Sequence, residues 1–173
     1  MTRRRLLVPP LLALAGAAVA APPAHEHGVA RLDLAIDGAT LSITIDAPLD
    51  GFTGFERAPR TDAERQLAAE VLAKLKDAAA LFKPDAAAGC TPTEASVTAP
   101  VLMPGATPAK SEHADLEASY TFNCRNPQAL RTLDLALFDA FRRLQRIEVQ
   151  VAGARGQSKA TLRRPARTVT LAR

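Results

Sequence analysis

The chain has no tryptophan and only one tyrosine and six phenylalanines in 173 residues, so a surface built on stacked aromatic rings is excluded. Strong basic character is missing too. Three of the 22 basic residues are Arg3, Arg4 and Arg5 at the N-terminus; the rest of the chain sets 19 basic against 18 acidic residues, despite a whole-chain pI of 9.5. With neither stacking platforms nor a basic face, nucleic-acid binding is disfavoured. Cysteine is limited to Cys90 and Cys124, with no Cys-x-x-Cys pair, which argues against dithiol redox catalysis. There is no His-Glu-x-x-His, no Gly-x-Ser-x-Gly elbow, no Walker loop and no dinucleotide fingerprint. The expectation is therefore a protein that is not an enzyme.

What is present begins with a leader. Arg3-Arg4-Arg5, an apolar stretch from Leu6 to Val19 and the small-residue site Ala18-Val19-Ala20 read as a secretory signal peptide over residues 1–20. The stretch is broken by Pro9-Pro10, is too short to span a bilayer comfortably and is followed by no stop-transfer pattern. Thr2 to Leu7 also has some likeness to a twin-arginine export signal, and either route ends outside the cytoplasm. Residues 21–173 are then expected to form a single periplasmic domain with no membrane span. A chain of that length buries about 68–70% of its unfolded surface, enough for a real core.

In an oxidising compartment Cys90 and Cys124 predict a disulfide. Their midpoint falls inside Met103-Pro104-Gly105-Ala106-Thr107-Pro108, a turn sequence. An antiparallel hairpin of residues 94–102 and 113–124 around that turn brings the cysteines together at its open end.

Residues 29–36 and 39–47 alternate apolar and polar, and Asp37-Gly38 between them favours a two-residue hairpin loop. That register sets Leu34 opposite Leu41 and Leu32 opposite Ile43 on the core side, with Asp33 opposite Ser42 and Arg31 opposite Thr44 outside. Likewise Ala114, Leu116, Ala118, Tyr120 and Phe122 share a buried face, leaving His113, Asp115 and Glu117 on the wet one. Thr61-Asp62-Ala63-Glu64 is a capping box that opens a helix from Asp62 to about Ala80, with Leu67, Val71, Leu72 and Leu75 as its stripe. Residues 126–144 fit either helix or strand periodicity; the reading favoured here is a turn, a strand and a short helix. Residues 147–151 and 158–162 make a hairpin, and residues 169–171 a final edge strand. The class is α+β, mainly antiparallel sheet with one well-defined helix and one or two short ones.

Two of only three histidines stand in His25-Glu26-His27-Gly28. In an extended segment residues i and i+2 point the same way, about 6.5–7 Å apart, close enough for both rings to lean toward one ion. If the strand continues back that far, His25 and His27 lie on the wet face with Arg31 and Asp33. His113 shares polar parity with Asp115. The candidate metal ligands are therefore His25, His27, His113 and Asp115, and neutral imidazole suits Zn²⁺, with Cu²⁺ or Ni²⁺ also compatible.

Taken together, these residues resemble the ZrgA family, zinc-regulated periplasmic proteins. The resemblance rests on His25-Glu26-His27-Gly28, on Gly54-Phe55-Glu56-Arg57-Ala58-Pro59 with Thr61-Asp62-Ala63-Glu64 behind it, and on Gly89-Cys90. It continues through His113-Ala114-Asp115, Tyr120-Thr121-Phe122-Asn123-Cys124, Leu137-Phe138, residues 147–150 and Gly156-Gln157. It implies zinc acquisition or homeostasis, with a zinc transporter component or an outer-membrane receptor as partner. Two features depart from the pattern: Arg57 stands where family members often have histidine, and only residues 104–112 stand where many have a long histidine-rich insertion. Two other readings compete. One is a periplasmic protein-interaction module that docks through sheet edges or the Gly51-Phe52-Thr53-Gly54-Phe55 loop; the other is a metal-dependent hydrolase using an open zinc position.

Overall fold

The structure, a computed structural model, describes residues 26–103 and 114–171. The expected leader, the 104–108 turn, His25 and His113 lie outside the described residues.

Alternation makes the strands. β1 (Val29–Asp37) buries Leu32 and Leu34, and β2 (Thr40–Pro48) buries Leu41, Ile43 and Ile45. They form the expected hairpin with a shifted register: Leu34 faces Ile43, Leu32 faces Ile45, Asp33 faces Thr44 and Arg31 faces Asp46. The loop is Gly38-Ala39, because Asp37 itself pairs with Thr40 and Gly38 takes the left-handed φ of 55°. Moving the turn by one residue moves each partner by two, so the faces survive the correction.

The chain continues through α1 (Asp50–Thr53), α2 (Asp62–Lys76), α3 (Ala78–Leu81), β3 (Phe82–Pro84), β4 (Cys90–Thr98) and β5 (Asp115–Cys124). It finishes with β6 (Thr132–Leu135), α4 (Leu137–Ala140), β7 (Arg146–Gly153), β8 (Gly156–Arg163) and β9 (Thr168–Thr170). The class is α+β. One sheet has the order β4-β5-β2-β1-β7-β8, and a smaller one the order β3-β6-β9. Among the described residues every pairing is antiparallel except β1 with β7, which is parallel and sets Leu32 beside Val149. No local turn signal announces that pairing.

The capping box forms as expected: the Thr61 hydroxyl accepts the Glu64 N–H at 3.1 Å. The helix ends at Lys76, short of Ala80, because Asp77 leaves helical geometry and its carboxylate accepts the Ala80 N–H at 3.0 Å to start α3. Ala68, Val71 and Leu75 form the buried stripe, while Leu67 is 38% exposed. The Tyr120 hydroxyl donates to the Leu75 carbonyl at 2.7 Å, satisfying one of the acceptors a helix end leaves open. Burial pushes the Tyr120 phenol well above its ordinary range. Phe82 of β3 lies 4.8 Å from the Tyr120 ring and 6.4 Å from that of Phe122, so the small sheet and α2 share one core with the inner face of the large sheet.

Cys90 and Cys124 are direct partners on β4 and β5 and are bonded, as the hairpin reading required. A bulge between Pro92 and Glu94 bends β4, which is an edge strand and so tolerates the proline. The ambiguous region resolves into a 3₁₀ turn at Pro127–Ala129, then β6, then α4.

Candidate metal centre

Two separate loops meet at one end of the large sheet. The first follows β2. Pro48 lies opposite Asp115 at the start of β5, and the Leu49 N–H donates to the Ala114 carbonyl at 3.0 Å, so the chain enters α1 from a fixed point. Phe52 is buried with its ring 4.8 Å from Phe141, and the Thr53 hydroxyl, also buried, lies 3.1 Å from the Leu49 carbonyl and 2.6 Å from that of Phe55. Gly54 closes α1 at φ 86° with its N–H on the Asp50 carbonyl at 2.9 Å. These contacts hold Asp50 and Glu56 at the two ends of one tight loop.

The second loop is the N-terminal turn. The Val29 N–H reaches the Glu26 carbonyl at 3.2 Å, and Gly28 is left-handed at φ 71°. Strand alternation therefore stops at Val29, and the expectation that a regular strand carries back to His27 is corrected. Nevertheless the imidazole is exposed, with 65% of the side chain accessible, and its Nε2 lies 3.4 Å from Glu56 Oε1, a side chain only 10% exposed.

One ligating atom each from His27, Asp50 and Glu56 lies within 4.8 Å of the others. Asp50 Oδ1 is sealed from solvent, and among the described residues no donor reaches it. A buried carboxylate oxygen without a donor is expensive unless a cation serves it. Donors around a tetrahedral zinc at about 2.0–2.2 Å stand roughly 3.3–3.6 Å apart, so closing on an ion takes a movement of about 1 Å. The imidazole that would move is exposed. One nitrogen and two oxygens suit zinc and leave a coordination position open.

The family model described as ZrgA family zinc uptake protein matches residues 24–171. The chain belongs to this family. The matched range takes in both loops of the centre and ties the ZrgA-family chain to a zinc-related role. No curated protein matches it.

Within this ZrgA-family fold the expected ligands fare differently. His27 joins the three-donor group. His25 and His113 lie outside the described residues, directly before Glu26 and Ala114 in the chain. Asp115 is half-buried at the start of β5 and is not one of the three convergent donors. Glu26 is held by a two-pronged contact with Arg146, Nη1 to Oε1 at 3.1 Å and Nη2 to Oε2, and this hydrogen bonding holds its carboxyl below the usual range. Arg57 grips Glu64 at 2.7 and 3.0 Å, so it braces the start of α2. Sequence reading missed Asp50 and Glu56. The available signal was an acid just outside each of two closely spaced glycines, Asp50 before Gly51 and Glu56 after Gly54. Phe52 caps the core, which removes one of the two rings from the docking reading of that loop.

Proposed function

We propose that the protein is an exported, periplasmic zinc-binding protein that captures the ion reversibly and acts in zinc acquisition or homeostasis. The observation that carries this reading is the convergence of ligating atoms from His27, Asp50 and Glu56, of which Asp50 also has a buried carboxylate oxygen, Oδ1, with no donor among the described residues. The ZrgA family assignment and the disulfide fit it. No described helix is long and apolar enough to cross a membrane.

The described centre supplies three donors. His25, His113 and Asp115 are candidates to complete the shell, each adjoining this end of the sheet in the chain. A site with an open position exchanges its metal readily, which suits handover to a zinc transporter component or an outer-membrane receptor. The reading is capture rather than catalysis: the three convergent groups are all metal donors. The same donors would accept Cu²⁺ or Ni²⁺.

The test is a zinc titration at pH 7.5 of the protein starting at Ala21, beside a His27→Ala, Asp50→Asn, Glu56→Gln variant. The variant is expected to lose affinity. Equal affinity for both proteins refutes the centre.

A further inference from the structure

The two loops that carry the donors are separated by the β1–β2 hairpin, yet both rest on a third segment, remote in sequence, that supplies no donor: residues 143–146, which lead from the end of α4 into the first residue of β7. A Cβ at Gly28 would meet the Arg143 carbonyl at 3.2 Å and the Gln145 side chain at 3.3 Å; one at Gly51 would meet Leu144 at 2.8 Å; one at Gly54 would meet the Arg143 guanidinium at 2.7 Å. Three glycines thus let this segment lie flush against both loops. The backbone adds to it: the Gly28 carbonyl accepts the N–H of Gln145 at 2.8 Å and of Arg146 at 3.2 Å. The residue on the other side of His27, Glu26, is held by the Arg146 fork, and Arg146 is itself oriented by Glu148 at 3.1 Å.

We propose that Arg146 is a positioning residue for the metal centre. It fixes His27 from outside the ligand set, by clamping the residue before it through the side chain and the residue after it through the backbone. This inference rests on the proposed zinc-binding reading. It makes a prediction whose sign is opposite to that of simple charge. Arg146 is a cation near a cation site, so on electrostatic grounds alone its removal should raise zinc affinity. As a positioning residue, its removal should lower affinity by about 10- to 100-fold, the range for losing a group that orients a ligand.

The experiment compares zinc dissociation constants of the native protein, Arg146→Gln, Arg146→Lys, Glu26→Gln and the Glu26→Gln, Arg146→Gln double variant. Arg31→Gln is the control, because Arg31 also reaches Glu148, at 3.5 Å, from the same face. Melting temperatures are measured without metal, and the visible spectrum of the Co²⁺-loaded protein reports ligand geometry. The expected result is a 10- to 100-fold loss for Arg146→Gln and for Glu26→Gln, no further loss in the double variant, partial recovery with lysine, and a Co²⁺ band shifted relative to native and Arg31→Gln. Unchanged or tighter binding by Arg146→Gln, or a loss matched by Arg31→Gln, overturns the inference. If the native protein binds no zinc, the underlying reading has failed, and the inference falls with it.

Discussion

Replacing Asp50 with asparagine should strengthen the metal-free protein while weakening its hold on zinc. Asparagine preserves size, and the backbone bond from Gly54 to the Asp50 carbonyl is untouched. What it removes is a negative charge with an atom within 4.8 Å of Glu56. Two like charges at that separation repel by about 1 kcal/mol at the dielectric of water and about 3.5 kcal/mol at an effective value of 20. Relief of that repulsion should raise the melting temperature in chelator by at least about 2 °C for a domain of this size. Zinc changes the sign. Structural zinc sites hold the ion by about 10–16 kcal/mol over four donors, so one donor is worth about 2.5–4 kcal/mol, or roughly 100- to 1,000-fold in affinity. At zinc 100 times the native dissociation constant, binding adds about 2.7 kcal/mol to the native protein, a rise of about 5–11 °C, and almost nothing to the variant. Thermal melts of both proteins with and without zinc give four midpoints. A variant that melts below native in chelator and rises equally with zinc would refute both halves of the argument.

Glu64, drawn down to about 2 by the Arg57 fork and by backbone N–H groups of Arg60 and Thr61, contributes stability that is complete above its ordinary value of 4.5 and is lost as pH falls toward 2. Urea midpoints of native and Glu64→Gln should therefore differ at pH 6 and converge near pH 2; a constant gap shows that the pair is not what titrates. Reducing Cys90–Cys124, or replacing both with serine, releases a loop closed over 34 residues and should cost about 4 kcal/mol in the chain-entropy model, lowering the melting point by roughly 8–16 °C. A drop below about 3 °C refutes that entropic account. Tyr120→Phe leaves the Leu75 carbonyl buried without its donor and should cost about 1–3 kcal/mol in calorimetry, with zinc affinity unchanged.

Much of the fold could be read from local pattern. The faces of β1, β2, β5, β7 and β8 follow from period-two alternation, the start of α2 from its capping box, and the disulfide from hairpin symmetry. The errors have local causes as well. Asp37 pairs with Thr40 across a Gly38-Ala39 loop, and Asp77 uses its carboxylate to interrupt a helix whose periodicity alone would continue. The parallel β1–β7 pairing and most of the candidate metal centre were not legible, because both depend on segments remote in sequence. His27 stood out as a histidine. Asp50 and Glu56 looked like ordinary loop acids, and only the packing of Phe52 on Phe141 and of Gly51 against Leu144 turns them toward it.

The ion contact between Glu26 and Arg146 bridges 120 positions. A polypeptide that emerges amino end first presents its early histidine long before the strand that anchors it has been delivered. The clamp on the segment that carries His27 is thus complete only once β7 has been made, so on the proposed reading the three donors precede the residue that holds them in place.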